Sequence, residues 1–220
     1  AYIQDVQRIA RRARDAGAHI VLDVYHSAGV LPFDVRALGV SFAVGGVLKW
    51  LCGGPGSAFL YVRDDLRSIL APGVTGWQAH QRPFAFEPEL DLREDAWRFL
   101  NGTPNIPALY AARPGLEIIN KVGVAEIRAK SMRQTALLVR RTQERGWRLT
   151  SPLDPAERGG TVTIDPPNAQ EVCRRLLERR FLVDYRPNAG IRIAPHFYNS
   201  DDELEALIEE IGTLINADKR

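Results

Sequence analysis

The sequence is short of the features that mark several protein classes. Across 220 residues it has two cysteines, Cys52 and Cys173, which lie far apart and form no CxxC or other metal-ligand spacing. That excludes a disulfide-stapled scaffold and a zinc module, and it fits a reducing, cytoplasmic setting. Neither sign of charge dominates: 29 Lys+Arg against 27 Asp+Glu leave a net +2. Nothing in that balance argues for a nucleic acid or an anionic membrane as partner. Long clean apolar runs are missing too. The nearest, residues 41–62, carries Lys49 as its sole charge but is broken by Gly45, Gly46, Gly53, Gly54, Pro55 and Gly56. A central lysine costs about 2.5 kcal/mol or more in lipid, so the stretch reads as a buried part of a soluble fold. There is no initiator methionine and no basic-then-apolar leader, while Ile3, Val6, Ile9, Ala10 and Ala13 recur at helical spacing from the outset. The expectation is a fragment that begins inside a domain.

What is present is a globular composition, 45% hydrophobic and 25% charged, long enough for one large domain or two smaller ones. After the opening helix, Gly17 stops the periodicity and residues 19–24 read as a short strand buried on both faces. Strands follow at 41–44 and 57–62. Residues 72–107 are irregular and rich in Pro, Gly and aromatics, a length of loop that usually serves function or an interface. Residues 108–145 predict two helices, or one long kinked helix, interrupted near Gly123. Beyond Gly146 the pattern predicts a strand at 161–164, a helix at 169–180, strands at 181–185 and 191–194, and a helix at 201–215 opened by Asn199-Ser200-Asp201-Asp202-Glu203. No internal repeat or low-complexity segment occurs.

Lys49 is the most informative residue. An ammonium set alone in an apolar segment before a Gly-rich turn suits a lysine whose burial frees the neutral amine for covalent bonding to a carbonyl. A head group that snorkels to solvent at a strand end is the plainer alternative. Asp23 ends the preceding strand of an α/β pattern, where ligands gather at strand carboxyl ends. In pyridoxal phosphate enzymes a carboxylate pairs with the pyridine nitrogen and a lysine holds the aldehyde. Taken singly, Asp23 also suits a turn residue.

Two stretches carry a resemblance: Asp23-Val-Tyr-His26-Ser-Ala-Gly29, and Phe42-Ala-Val-Gly-Gly-Val-Leu-Lys49-Trp-Leu-Cys-Gly-Gly-Pro-Gly56. Together they resemble the cofactor site of class V aminotransferase-fold enzymes, kynureninases in particular. Three later pieces extend the match in the same order: Gly76-Trp77-Gln-Ala-His80, Arg98-Phe-Leu-Asn-Gly-Thr103-Pro, and Gly190-Ile-Arg192-Ile-Ala-Pro-His-Phe-Tyr198-Asn199. The resemblance implies an α/β chain of the fold-type I pyridoxal phosphate class. Residues 1–110 would be the C-terminal part of the large cofactor domain, 111–145 connecting helices, and 146–220 a small α+β C-terminal domain.

It also implies roles. Lys49 would bind the aldehyde of pyridoxal 5'-phosphate, Asp23 the ring nitrogen, and His26 the neighbourhood of the ring oxygen. Trp77 and Thr103 would reach the phosphate across a homodimer with shared active sites, and Arg192 would grip the α-carboxylate of an amino-acid substrate. Each has a plainer alternative: a turn histidine for His26, core packing for Trp77, a helix N-cap before Pro104 for Thr103, and a surface ion pair on an alternating strand for Arg192. The chain departs from kynureninases at Leu48, where they usually carry tyrosine. Cys173 lies within a helix pattern rather than on a loop, which disfavours a desulfurase and suits a buried structural thiol. The implied activity is kynureninase-like C–C hydrolysis. A class V aminotransferase or epimerase acting at Cα is the first alternative, and a catalytically silent fragment or partner subunit the second.

Overall fold

Asp5 begins the first helix by accepting the Arg8 backbone N–H on its carboxylate at 3.1 Å, and a left-handed Gly17 closes the segment. This helix, α1 (Val6–Asp15), opens a computed structural model that describes residues 2–217. β1 (Val21–Asp23), α2 (Val35–Leu38), β2 (Phe42–Gly46), β3 (Ala58–Val62), α3 (Asp64–Arg67) and α4 (Ile106–Val122) follow. Next come α5 (Val124–Glu144), β4 (Arg148–Leu149), β5 (Val162–Asp165), α6 (Ala169–Glu178), β6 (Asp184–Arg186), β7 (Gly190–Ile193) and α7 (Asp201–Ala217). The chain divides into two units. One comprises Asp5–Ala28 and Phe33–Lys121; the other is built mainly from the chain after Val122, with Gly29–Pro32. No described helix is long and apolar enough to cross a membrane.

In the first unit β1, β2 and β3 form a three-stranded sheet in that order. β1 and β2 run parallel with Val21 opposite Phe42 and Asp23 opposite Val44, whereas β2 and β3 pair antiparallel. The expectation of a strand buried on both faces at 19–24 is corrected. β1 is an edge strand of three residues, and Val21 is 61% exposed, because among the described residues it has one strand neighbour. Residues 41–62 likewise form two strands and a turn, and Phe59 and Leu60 on β3 are exposed rather than buried. Residues 72–105 are irregular apart from 3-10 turns at Trp77–Ala79 and Ala96–Phe99, and the last two residues of the expected loop, 106 and 107, belong to α4.

The second unit holds a four-stranded sheet of order β4-β5-β7-β6, antiparallel throughout. Alternation on β5 and β7 sends Val162, Ile164, Ile191 and Ile193 inward against α5, α6 and α7, where Leu138, Val172, Leu176, Ile208 and Ile211 complete the core. Cys173 is part of that core, and burial pushes its thiol up from the ordinary range, as expected of a structural thiol. α7 starts with a reciprocal cap: Ser200 N–H donates to Glu203 Oε2 at 2.7 Å and Glu203 N–H to Ser200 Oγ at 3.2 Å. α4 and α5 separate at Gly123, with φ +86°.

The strand expected at 181–185 lies instead at Asp184–Arg186. Residue Arg180 adopts φ +67°, and Phe181 N–H returns to Leu176 O at 2.9 Å, so residues 181–183 belong to the close of α6. The two-residue β4 and the one-turn helices α2 and α3 were not anticipated. Each is too short to show a period.

Candidate active site

Parallel pairing brings the carboxyl ends of β1 and β2 side by side, with Asp23 the last residue of one and Lys49 three residues beyond the other. Val24 N–H extends the ladder to Val44 O at 2.8 Å, after which the chain turns: Ser27 and Ala28 N–H both return to Val24 O. Asp23 Oδ1 accepts Tyr25 N–H at 2.8 Å and so fixes that turn. Oδ2 has no hydrogen-bond partner among the described residues, and the side chain is exposed. Asp23 is therefore a turn residue with one oxygen still to offer.

The turn lays Tyr25 beside Gly46. A Cβ on Gly46 would stand 2.2 Å from Tyr25 Cε2, so only glycine lets the ring lie there. Lys49 Nζ sits 4.5 Å from the centroid of that ring and in polar contact with His26 Nε2. The ring face favours a cation. Lys49 is exposed in this chain, which corrects the expectation of a buried ammonium; the sheet ends here are open rather than covered. Leu48 beside it is 47% exposed, while Trp50 turns into the interior.

The turn after Lys49 is held by Gly53 N–H to Val47 O at 2.7 Å and Cys52 N–H to Lys49 O at 3.0 Å. It docks on a face of α4 made of Ala108, Ala112 and Gly115. A Cβ at Gly115 would lie 2.0 Å from the Cys52 carbonyl oxygen, and one at Gly53 would lie 3.2 Å from Ala112 Cβ. This backbone-to-helix contact positions Lys49, and the sequence reading did not include it. The spacing 108, 112, 115 is a helical stripe of small residues, which is the signal that could have shown it.

Trp77 is 41% exposed and packs edge-on against Phe84, so it is not a core tryptophan. Thr103 is exposed, and the N-cap of α4 is Asn105, whose Oδ1 accepts Ala108 N–H at 3.2 Å. The capping alternative for Thr103 is thereby removed. The segments carrying the two residues meet where Gly76 abuts Asn101, so closely that a Cβ would fall 1.5 Å from Asn101 O. Arg98 anchors the same stretch by donating from Nη1 to the carbonyls of Arg67, Ser68 and Leu70. Trp77 and Thr103 thus share a neighbourhood within the first unit.

Arg192 lies in the second unit, half-exposed on β7. Its Nε and Nη2 donate to Asp184 Oδ1 and Oδ2 at 2.9 and 2.6 Å. The ion pair weighed as the plainer alternative is present. A lysine amine, and a carboxylate with an unused oxygen, at the ends of adjacent parallel strands match what pyridoxal phosphate requires: an amine for its aldehyde and an anion for its ring nitrogen.

Residues 2–207 match the class V aminotransferase family. The chain belongs to that family. It is 35% identical over 213 residues to the uncharacterised aminotransferase YcbU of Bacillus subtilis, covering 96% of this chain and 55% of that protein. It is 30% identical over 221 residues to a kynureninase of Pseudomonas fluorescens, covering 98% and 53%. The chain thus spans about half the length of the curated relatives it matches. Among solved structures, a cysteine desulfurase from Thermococcus onnurineus superposes with a TM-score of 0.88 at 22% identity over 98% of this chain and 57% of that one. C-DES, solved with glycine covalently linked to its pyridoxal phosphate cofactor, gives 0.75 at 21% over 84% and 49%. The fold is that of the fold-type I pyridoxal phosphate enzymes, and pyridoxal phosphate is the cofactor of the family.

Proposed function

We propose that this chain carries the lysine-bearing part of a pyridoxal phosphate enzyme of amino-acid metabolism, kynureninase-like in its motifs and hydrolysing a C–C bond of a kynurenine-type substrate. The observation that carries the reading is Lys49 Nζ, set at the strand ends against His26 and Tyr25. When bound, pyridoxal phosphate supplies an electron sink for negative charge at the substrate Cα. Lys49 would hold the aldehyde carbon and, once displaced by the substrate amine, move a proton at Cα. His26, in polar contact with Nζ, would orient the amine for that task. Asp23 Oδ2 would hold the proton on the ring nitrogen while Oδ1 stays on the turn. Trp77 and Thr103, exposed and close together, would reach the phosphate of a second copy, giving a homodimer with shared sites. Arg192 would bind the α-carboxylate through its guanidinium fork.

Lys49→Ala in the holoenzyme should abolish the visible absorbance of the lysine-bound cofactor and its covalent fixation by borohydride, with circular dichroism unchanged. A spectrum like the wild type would refute the assignment. Fixation to Lys49 in the wild type would also separate an enzyme from a silent subunit.

Leu48 favours a second reading, a class V aminotransferase or epimerase acting at Cα. Hydrolytic cleavage needs a proton delivered to the departing side chain, which a phenol beside Lys49 could provide and a leucine cannot. Anthranilate release from kynurenine and deuterium uptake at Cα, measured side by side, divide the two. We expect weak cleavage in the wild type, a gain in Leu48→Tyr, and clear Cα exchange with a simpler amino acid. Brisk anthranilate release with Leu48 in place would instead favour the hydrolase.

A further inference from the structure

Asp184 and Arg192 are register partners on β6 and β7. Arg192 meets the carboxylate side-on, through its Nε–Nη2 edge. A guanidinium carries five N–H groups in one plane, so this engagement leaves Nη1 and the outward hydrogen of Nη2 as a second fork. Asp184 Oδ2 also accepts from Arg186 Nη2 at 2.9 Å. One carboxylate therefore stands between two guanidiniums, and the trio keeps one positive charge. Ile191 and Ile193 point into the core, which places Arg192 on the opposite face of the sheet, beside Thr163 of β5. Ion pairs as exposed as this one contribute little to stability, so holding the fold together is a poor account of so ordered an arrangement.

We propose that Asp184 is a positioning residue for substrate binding. It holds the Arg192 guanidinium side-on, so that the Nη1 end faces outward as a preformed fork for the α-carboxylate of an amino acid. Arg186 offsets the negative charge that Asp184 would otherwise set against that carboxylate. The inference rests on the proposed role of Arg192 and deepens it.

The test uses the holoenzyme with L-alanine as reacting probe, followed by cofactor absorbance, and propionate as unreactive carboxylate. Asp184→Asn should raise half-saturation for both about tenfold, the equivalent of having to order one long side chain on binding. The maximal rate should stay within about twofold, since the reacting atoms are untouched. In nitrogen–proton NMR the Arg192 Nε–H resonance should shift and exchange faster. Arg186→Gln is the second variant: it should weaken propionate binding while leaving the Arg192 Nε–H resonance in place, whether or not Asp184→Asn folds. Unchanged or tighter propionate binding in Asp184→Asn, with Arg192→Gln still impaired, overturns the inference alone. Wild-type propionate binding in Arg192→Gln overturns the carboxylate role of Arg192, and this inference with it.

Discussion

Replacing Gly115 by alanine tests whether the turn after Lys49 is positioned by its contact with α4. In an exposed helix interior this substitution stabilises by about 0.5–1 kcal/mol, because glycine has more backbone freedom to lose. At Gly115 the added Cβ would stand 2.0 Å from the Cys52 carbonyl oxygen, 2.4 Å from its carbonyl carbon and 3.0 Å from the Leu51 oxygen. Those are backbone atoms of a tight turn, with no flexible side-chain end to yield. The turn must retreat by roughly an ångström, an overpacking strain of about 1–3 kcal/mol that outweighs the propensity gain. A displacement of that size at a reacting group costs up to about 100-fold in rate. We therefore expect Gly115→Ala to lower the thermal midpoint and cut turnover with cofactor still bound. Gly212 in α7 is the control. Among the described residues a Cβ there would meet Arg145 Nε at 3.9 Å and nothing nearer, so Gly212→Ala should raise the midpoint through propensity alone. Were Gly115→Ala to behave like Gly212→Ala, with full turnover, the packing of α4 would not position Lys49.

Arg158 is almost wholly buried, donates from Nη1 to the carbonyls of Pro152 and Leu153 at 2.8 and 2.7 Å, and among the described residues forms no salt bridge, though Asp154 lies near enough to attract it. Arg158→Met should cost about 2 kcal/mol of stability in denaturant unfolding, the loss of two charged-donor hydrogen bonds less the relief of a buried charge beside Arg128. A gain in stability would show that the buried charge outweighs its hydrogen bonds. Arg141 forks onto Glu205 across α5 and α7 and holds that carboxyl below the usual glutamate range. A depressed folded value contributes stability above the unfolded glutamate range and loses it as pH falls through the folded one. Arg141→Gln should therefore flatten the acid-side fall in thermal midpoint below about pH 4.5, and an unchanged profile would refute the coupling.

Much of the fold and part of the candidate site are legible in the sequence, for reasons that vary by residue. The long helices α4, α5 and α7 announce themselves because their apolar residues repeat over several turns, and Gly123 is the only residue type that readily takes the φ at their break. Lys49 and Asp23 stand out because a charge among apolar neighbours needs a reason visible in the string itself. The burial of β1 is not legible because apolar content reports what a strand can bury, whereas burial depends on neighbours the string does not name; among the described residues Val21 has one adjacent strand. Tyr25 sits in the very stretch that carried the resemblance, yet its place under Lys49 depends on Gly46, on another strand. Alternation could not decide what Arg192 touches, because it gives the face of a strand and not its partner. That choice is made by register. Asp184 and Arg192 are eight residues apart along the chain but directly opposed across β6 and β7, and the fork they share uses only one edge of the guanidinium. Whether an arginine still has an edge to offer is thus a property of pairing geometry, which is why the sequence yields a candidate ligand for a carboxylate while the fold yields the residue that aims it.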